Sequence, residues 1–148
     1  MSSGSPGRAY LLDVNVLIAL MSEQHVHHAA AHRWFGGVTT WATSPITETA
    51  FVRLVSNPAV AGGDIPPSEA LRLLGQLRAV AGHRFVADAS SLATPAIDVI
   101  ALVGHRQVTD FHLVNLAADN GVVLATFDAR LRAALAAGDR RHVELIQV

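Results

Sequence analysis

Near the start of the chain, the stretch Leu11-Leu12-Asp13-Val14-Asn15-Val16-Leu17-Ile18-Ala19-Leu20 restricts folding more than any other. It is a run of branched aliphatics broken by one carboxylate and one carboxamide. The run is too short to cross a bilayer, so it belongs in a protein core. A charge there is costly unless something pairs with it or binds it. Asp13 therefore needs partners from elsewhere in the chain.

Around this stretch, short aliphatic runs alternate with helical segments. Strands are expected at 9–12, 39–43, 83–87, 122–126 and 143–147, the second on its Thr and Trp content. Helices are expected at 14–21, at 25–35 closed by Gly36-Gly37, and at 45–56 with Pro45 in its first turn. Asn57-Pro58 and Gly62-Gly63 mark a loop. Pro66-Pro67-Ser68 opens a helix that ends at Gly82, with Leu71, Leu74, Leu77 and Val80 read as its apolar side. Further helices are expected at 95–103, at 109–120 before Gly121, and at 128–137 before Gly138. Such alternation predicts an α/β fold, with a mostly parallel sheet of four to five strands covered on both faces.

At 148 residues and 51% hydrophobic, the chain suits one folded domain, expected over 8–148. Residues 1–7 have neither the basic nor the apolar region of a signal peptide and read as a flexible lead-in, with the cytoplasm as the expected location. The absence of cysteine excludes disulfides, thiolate metal sites and cysteine nucleophiles. A net charge of −1 argues against a strongly basic nucleic-acid binder but leaves room for a local basic patch. All 11 basic side chains are arginine, whose planar fork suits phosphate.

Three more acids stand where solvated acids are not expected. On the helix at 45–56, steps of about 100° put Thr49, Arg53 and Ser56 on the polar side. Glu48 falls between Val52 and Val55 instead. On the helix at 109–120, His112, Asn115 and Asp119 make the wet face, whereas Asp110 shares a stripe with Leu113, Val114 and Ala117. Asp128 follows its strand directly, as Asp13 follows Leu12. The carboxyl ends of parallel strands share one edge, where ligand crevices lie. Asp13, Glu48, Asp110 and Asp128 are therefore expected to converge there. Packed acids raise one another's pKa unless a cation neutralises them, and oxygen donors favour Mg²⁺ or Mn²⁺. Such a site suits phosphodiester hydrolysis by metal-activated water. Asn15, Thr109 and Thr126 are candidates to orient it from behind. Taken singly, each acid has an ordinary explanation: Asp110 and Asp128 as first-turn acids, Asp13 as a strand-end cap, Glu48 as a tilted helix residue reaching water.

The residues around these acids carry a family likeness. Leu-Leu-Asp13-Val-Asn15-Val-Leu, Ile-Thr-Glu48-Thr-Ala-Phe, Val-Thr-Asp110 and Leu-Ala-Thr-Phe-Asp128, with His28 and Trp34-Phe35 after the first motif, resemble the PIN-domain ribonucleases. Within these, the chain looks like the VapC toxins of type II VapBC toxin–antitoxin pairs. The resemblance implies a PIN-like three-layer α/β/α sandwich and a Mg²⁺-dependent endoribonuclease. It also implies a homodimer, silenced by a cognate VapB-type antitoxin in a hetero-oligomer. Asp13 and Asp110 would be the principal metal ligands, with Glu48 and Asp128 completing the set directly or through water. Phe111 departs from the small residue often found after the third acid, which would narrow the site.

Other features carry less. His25, His28 and His32 share a helical face, but no fourth ligand accompanies them as zinc would require. Arg130, Arg132, Arg140 and Arg141 form the densest basic cluster. Arg130 and Arg132, close to Asp128, are candidate contacts to an RNA backbone, and a solvated helix end explains the cluster equally well. Trp34 and Trp41 read as core or interface anchors. A phosphoacceptor receiver domain or a haloacid-dehalogenase-like phosphatase would need a lysine, and the latter an aspartate at position 15. Dinucleotide binding would need G-x-G-x-x-G after the first strand. An inactive PIN-like module that only binds RNA or protein remains as the alternative.

Overall fold

Five of the aliphatic runs pair as parallel strands. In a computed structural model that describes Gly4 and residues 7–148, these are β1 (Ala9–Leu12), β2 (Thr40–Thr43), β3 (His83–Phe85), β4 (Val123–Thr126) and β5 (Val143–Leu145). Their order across the sheet is β3-β2-β1-β4-β5, and every neighbouring pair is parallel. The lead-in expected at 1–7 lies outside the described residues apart from Gly7 and from Gly4, whose N–H donates to the Trp34 carbonyl at 2.9 Å.

Seven α-helices join or flank these strands among the described residues: α1 (Val14–Met21), α2 (His28–Phe35), α3 (Pro45–Val55), α4 (Pro58–Ala61), α5 (Pro67–Arg78), α6 (Val108–Asp119) and α7 (Ala129–Ala134). Strand side chains alternate between the sheet faces. Tyr10 and Leu12 enter an apolar cluster with residues of α1, α2, α3 and α5. Leu11 and Leu124 enter the opposite one, with residues of α6 and α7. This is the expected α/β/α sandwich.

The chain winds outward from β1 through β2 to β3, then returns to place β4 on the other side of β1. The order reverses between β1 and β4. In open parallel sheets, the crevice at the carboxyl ends of two such strands is where ligands bind. Asp13 follows one of these strands and Asp128 follows the other.

Local departures from the expected elements have local causes. The helix expected from residue 25 begins at His28, because the His25 ring nitrogen Nδ1 accepts the His27 N–H at 3.0 Å and holds a turn there. Part of the loop expected around Asn57 is the short helix α4, capped by the Asn57 side chain on the Ala59 N–H. On α5 the packed residues are Ala70, Leu73, Leu74 and Leu77, whereas Leu71 is 58% exposed and Val80 42%. A strict step of three drifts about 60° per step, which carries Leu71 off the packed side, and Val80 lies beyond the helix end at Arg78.

The helix expected at 95–103 does not form. Its N–H groups are taken out of helical pattern by side chains: Ala96 by Asn115, Asp98 by Asp139, Ile100 by Asp98 and Val103 by Gln107. Ile97, Val99, Ile100 and Val103 are β-branched and favour helix weakly. The last expected helix stops at Ala134, short of 137, and a 3₁₀ turn at Ala137–His142 follows. Arg140 closes α7 by donating to the Ala133 and Leu135 carbonyls.

Candidate active site

Asp13 leaves β1 and caps α1 in one step. One carboxylate oxygen accepts the Val14 N–H at 2.8 Å, and the other accepts the Thr126 hydroxyl at 2.8 Å. The Asp13 N–H in turn donates to the Ala125 carbonyl of β4 at 3.0 Å. The residue is 6% exposed. Burial pushes its carboxyl above the usual aspartate range, the Thr126 and Val14 bonds pull it back, and the charge of Asp128 adds to the rise.

Asp128 caps α7, accepting the Arg130 and Leu131 N–H groups at 2.9 and 3.3 Å. Its own N–H donates to Thr126 Oγ1 at 3.1 Å. One buried hydroxyl thus bonds to both residues. Asp110 sits in the first turn of α6, half-buried. Its carboxyl is raised from 3.8 to about 6, by burial first and then by the charges of Asp13 and Asp128. Those two are the acids that act on it.

Glu48 points inward, its side chain 13% exposed, as its helical position requires. Its immediate company differs from that expected. One oxygen accepts the Thr43 hydroxyl at 2.5 Å, and the other lies 3.6 Å from Arg78 Nη1. The Thr43 hydroxyl also meets His83 Nε2 at 2.8 Å. Burial and Arg78 lower the pKa of His83, and Glu48 opposes them. Glu48 is therefore held over β2 and β3, on the far side of β1 from Asp128.

The supporting residues divide. Thr126 is buried and bonded to Asp13. Asn15 is exposed in the first turn of α1 and lines a hollow of about 360 Å³ with His25, Val26, His27, Phe127 and Asp128. Thr109 is exposed on α6. Arg130 joins Arg106, Asp110 and Asp128 around a second hollow of about 230 Å³. Phe111, expected to narrow the site, is fully buried in the apolar cluster behind it and presents only one wall of this hollow. Arg132 faces elsewhere, toward β5.

The histidine face is structural. His28 Nδ1 meets the Ala19 carbonyl at 2.7 Å and His32 Nε2 meets that of Leu20 at 2.8 Å. A ring nitrogen facing a carbonyl carries its proton, so these rings donate to the end of α1 and those nitrogens are not free to bind zinc. Trp34 and Trp41 are buried core anchors, with indole N–H groups on Glu144 and the Ala81 carbonyl.

The acids offer only oxygen donors, and two of them, Asp13 and Asp110, are raised by burial and by neighbouring carboxylates. Such a set fits a hard divalent cation. Among the described residues, no three acid or histidine side chains already stand at ligand distance from a common point.

Residues 10–135 match the PIN domain family. Ribonuclease VapC38 of Mycobacterium tuberculosis is 47% identical over 140 residues, covering 93% of this chain and 98% of that protein. Ribonuclease VapC39 of the same species is 48% identical over 131 residues, covering 86% and 94%. The chain belongs to the PIN-domain family, among the VapC ribonucleases. A crystal structure of VapBC2 from Rickettsia felis bound to a promoter DNA fragment has a chain of the same fold, with a TM-score of 0.58 at 14% identity. That likeness covers 94% of this chain and 99% of the other. Asp13, Asp110 and Asp128 form one electrostatic group, whereas Glu48 is surrounded by Thr43, Arg78 and His83, which the spacing of the motifs does not point to. Thr43 ends a strand and was legible as a neighbour. Arg78 and His83 lie too far along the chain to be paired with Glu48 by spacing.

Proposed function

We propose that this VapC protein is the toxin of a VapBC-type toxin–antitoxin pair, acting in the cytoplasm as an endoribonuclease. In this proposal Asp13, Asp110 and Asp128 would hold Mg²⁺, for which Mn²⁺ could substitute, with Glu48 completing the set directly or through water. The observation that carries it is the repulsion among three carboxylates at the point where the strand order reverses, with Asp110 raised to about 6.

The bound cation would supply Lewis acidity, activating a water and stabilising the leaving oxygen. The chain's own groups do the positioning. Thr126 fixes the rotamer of Asp13 and the turn into Asp128. Arg106 and Arg130, which line the hollow beside Asp110, would donate to phosphate oxygens. Water forms the new phosphorus–oxygen bond as the bridging oxygen departs with a proton, without a covalent enzyme intermediate.

The proposed partners are RNA, a second copy of the chain and a VapB-type antitoxin. An apolar hollow of about 630 Å³, with Ile18, Met21, Leu54, Val60 and Ile65 on its walls, suits an apolar segment of that antitoxin. Asp13→Asn and Asp110→Asn are each expected to reduce Mg²⁺-dependent RNA cleavage to background while leaving the circular dichroism spectrum intact. Undiminished cleavage by either variant would falsify the site. If the wild type cleaves no RNA with Mg²⁺ and does not slow growth on expression, the inactive RNA- or protein-binding module takes its place.

A further inference from the structure

A fourth concavity, of about 480 Å³, lies against the edge strand β5, and four arginines line it: Arg8, Arg132, Arg140 and Arg141. That is four of the chain's 11 cations in one place, in a protein whose net charge is −1. The one acid in the lining, Glu144, is already engaged by the Tyr10 hydroxyl at 3.1 Å and the Trp34 indole N–H at 2.6 Å. Arg8 stands 3.8 Å from Glu144 and is 53% exposed.

Several guanidinium donors remain for a ligand. Arg132 uses only Nε, on the Val143 carbonyl at 3.4 Å, and both its terminal nitrogens lack a protein acceptor among the described residues. Arg141 spends Nη1 on the Gly138 carbonyl, and Arg140 keeps Nη1 after closing α7. Like charges gathered around one hollow repel, and an anion relieves that repulsion. Planar forks match phosphate bidentately.

The position of the hollow says which phosphate. Arg130 and Arg132 are two residues apart on α7, about 200° around the helix. Arg130 faces the acidic hollow, and Arg132 faces β5. The helix α7 is therefore a ridge, six residues and about 9 Å long, with the acidic hollow on one side and the arginine-lined hollow on the other. A polyanion lying across the acids can pass over this ridge and meet the second group of arginines. We propose that Arg8, Arg132, Arg140 and Arg141 form a second phosphate-binding site, which holds the RNA backbone outside the acidic cleft. An extended acidic peptide is the weaker fit, since β5 is only three residues long and Arg132 already occupies its Val143 carbonyl.

The inference rests on RNA being the substrate, and binding without turnover tests it separately. The probe is a fluorescein-labelled 15-nucleotide oligouridine, followed by anisotropy in EDTA across a salt series. Arg8→Gln/Arg141→Gln spares the arginine that closes α7. The double variant is expected to weaken binding and to lower the slope of log Kd against log salt by about 1.4, near 0.7 per lost phosphate contact. Arg8→Lys/Arg141→Lys should restore most of that slope, and cleavage of a dinucleotide too short to cross α7 should be unchanged. An unchanged slope overturns the site even if cleavage by the acids is proven. Oligoglutamate that binds the wild type as tightly as the RNA, and loses affinity equally in the variant, overturns the choice of RNA. A reduced slope in a protein that cleaves nothing supports the site and refutes the nuclease alone.

Discussion

Thr126 shows how much one hydroxyl can organise. It donates to Asp13 and accepts from the Asp128 N–H, both inside the protein. Thr126→Val keeps the shape but leaves an acid oxygen and an N–H without their partner. It is expected to cost about 1–3 kcal/mol in chemical denaturation. It should also weaken Mn²⁺ binding, read by calorimetry, by about 10- to 100-fold. Thr126→Ser should recover most of both. Asp110 gives a prediction of opposite sign. Its carboxyl is raised from 3.8 to about 6, so the folded chain holds that proton more tightly than the unfolded chain. The stability it contributes is complete below about pH 4 and is lost as pH climbs through about 6. Asp13 shifts in the same direction. Asp110→Asn should therefore raise Tm at pH 7 by roughly 2–4 °C, with little effect at pH 4. Mg²⁺ should stabilise the wild type at pH 7 and not the variant. A Tm difference that stays constant from pH 4 to 7 would show that the raised carboxyl, held up by burial and by its neighbouring acids, is not its cause.

At the scale of elements, α6 departs most from what its pattern suggests. Asn115, assigned to a wet face, is fully buried. The reason is the irregular segment that crosses over α6 before it begins. Asn115 accepts the Ala96 N–H at 2.8 Å and donates to the Ser91 carbonyl at 3.3 Å, while His112 meets Asp88 at 2.6 Å. Polar residues of one helix thus pin a stretch that has no regular hydrogen bonding of its own. Asn115→Ala is expected to destabilise the protein by about 1–3 kcal/mol through the orphaned Ala96 N–H. Hydrogen exchange should quicken selectively around Ser91 and Ala96, and uniform exchange across α3 and α5 as well would show that the pin is not local. Glu48 makes a related point on α3. Its inward direction follows from the helix, but its partners are Thr43 at the end of β2 and Arg78 at the end of α5, with His83 joined to it through Thr43.

Across the whole molecule, one parallel sheet carries an apolar cluster on each face, and β1 contributes side chains to both. No helix among the described residues is long and apolar enough to cross a membrane. The two clusters share that strand, so neither face should melt alone. Both tryptophans lie in the same cluster. Urea transitions followed by tryptophan fluorescence and by far-ultraviolet circular dichroism are therefore expected to coincide. A fluorescence midpoint that comes earlier would mean that the face with α1, α2, α3 and α5 opens first.

The amino-acid order alone determined the alternation of strands and helices, the acids at the ends of β1 and β4, and the inward turn of Glu48 and Asp110. Each of these follows from a period of two or 3.6, or from a residue adjoining an apolar run, which are properties of neighbours in the chain. The tertiary structure decided what depends on distant pairs. It placed Thr126 on Asp13, 113 residues away in sequence. It set Glu48 against Arg78, covered Asn115, and sent Arg130 and Arg132 into different hollows. Asp13 is the clearest instance of both. Its cost as a charge in an apolar run could be read at once, but its relief depends on which strand lies beside β1, and the crossover connections alone settle that.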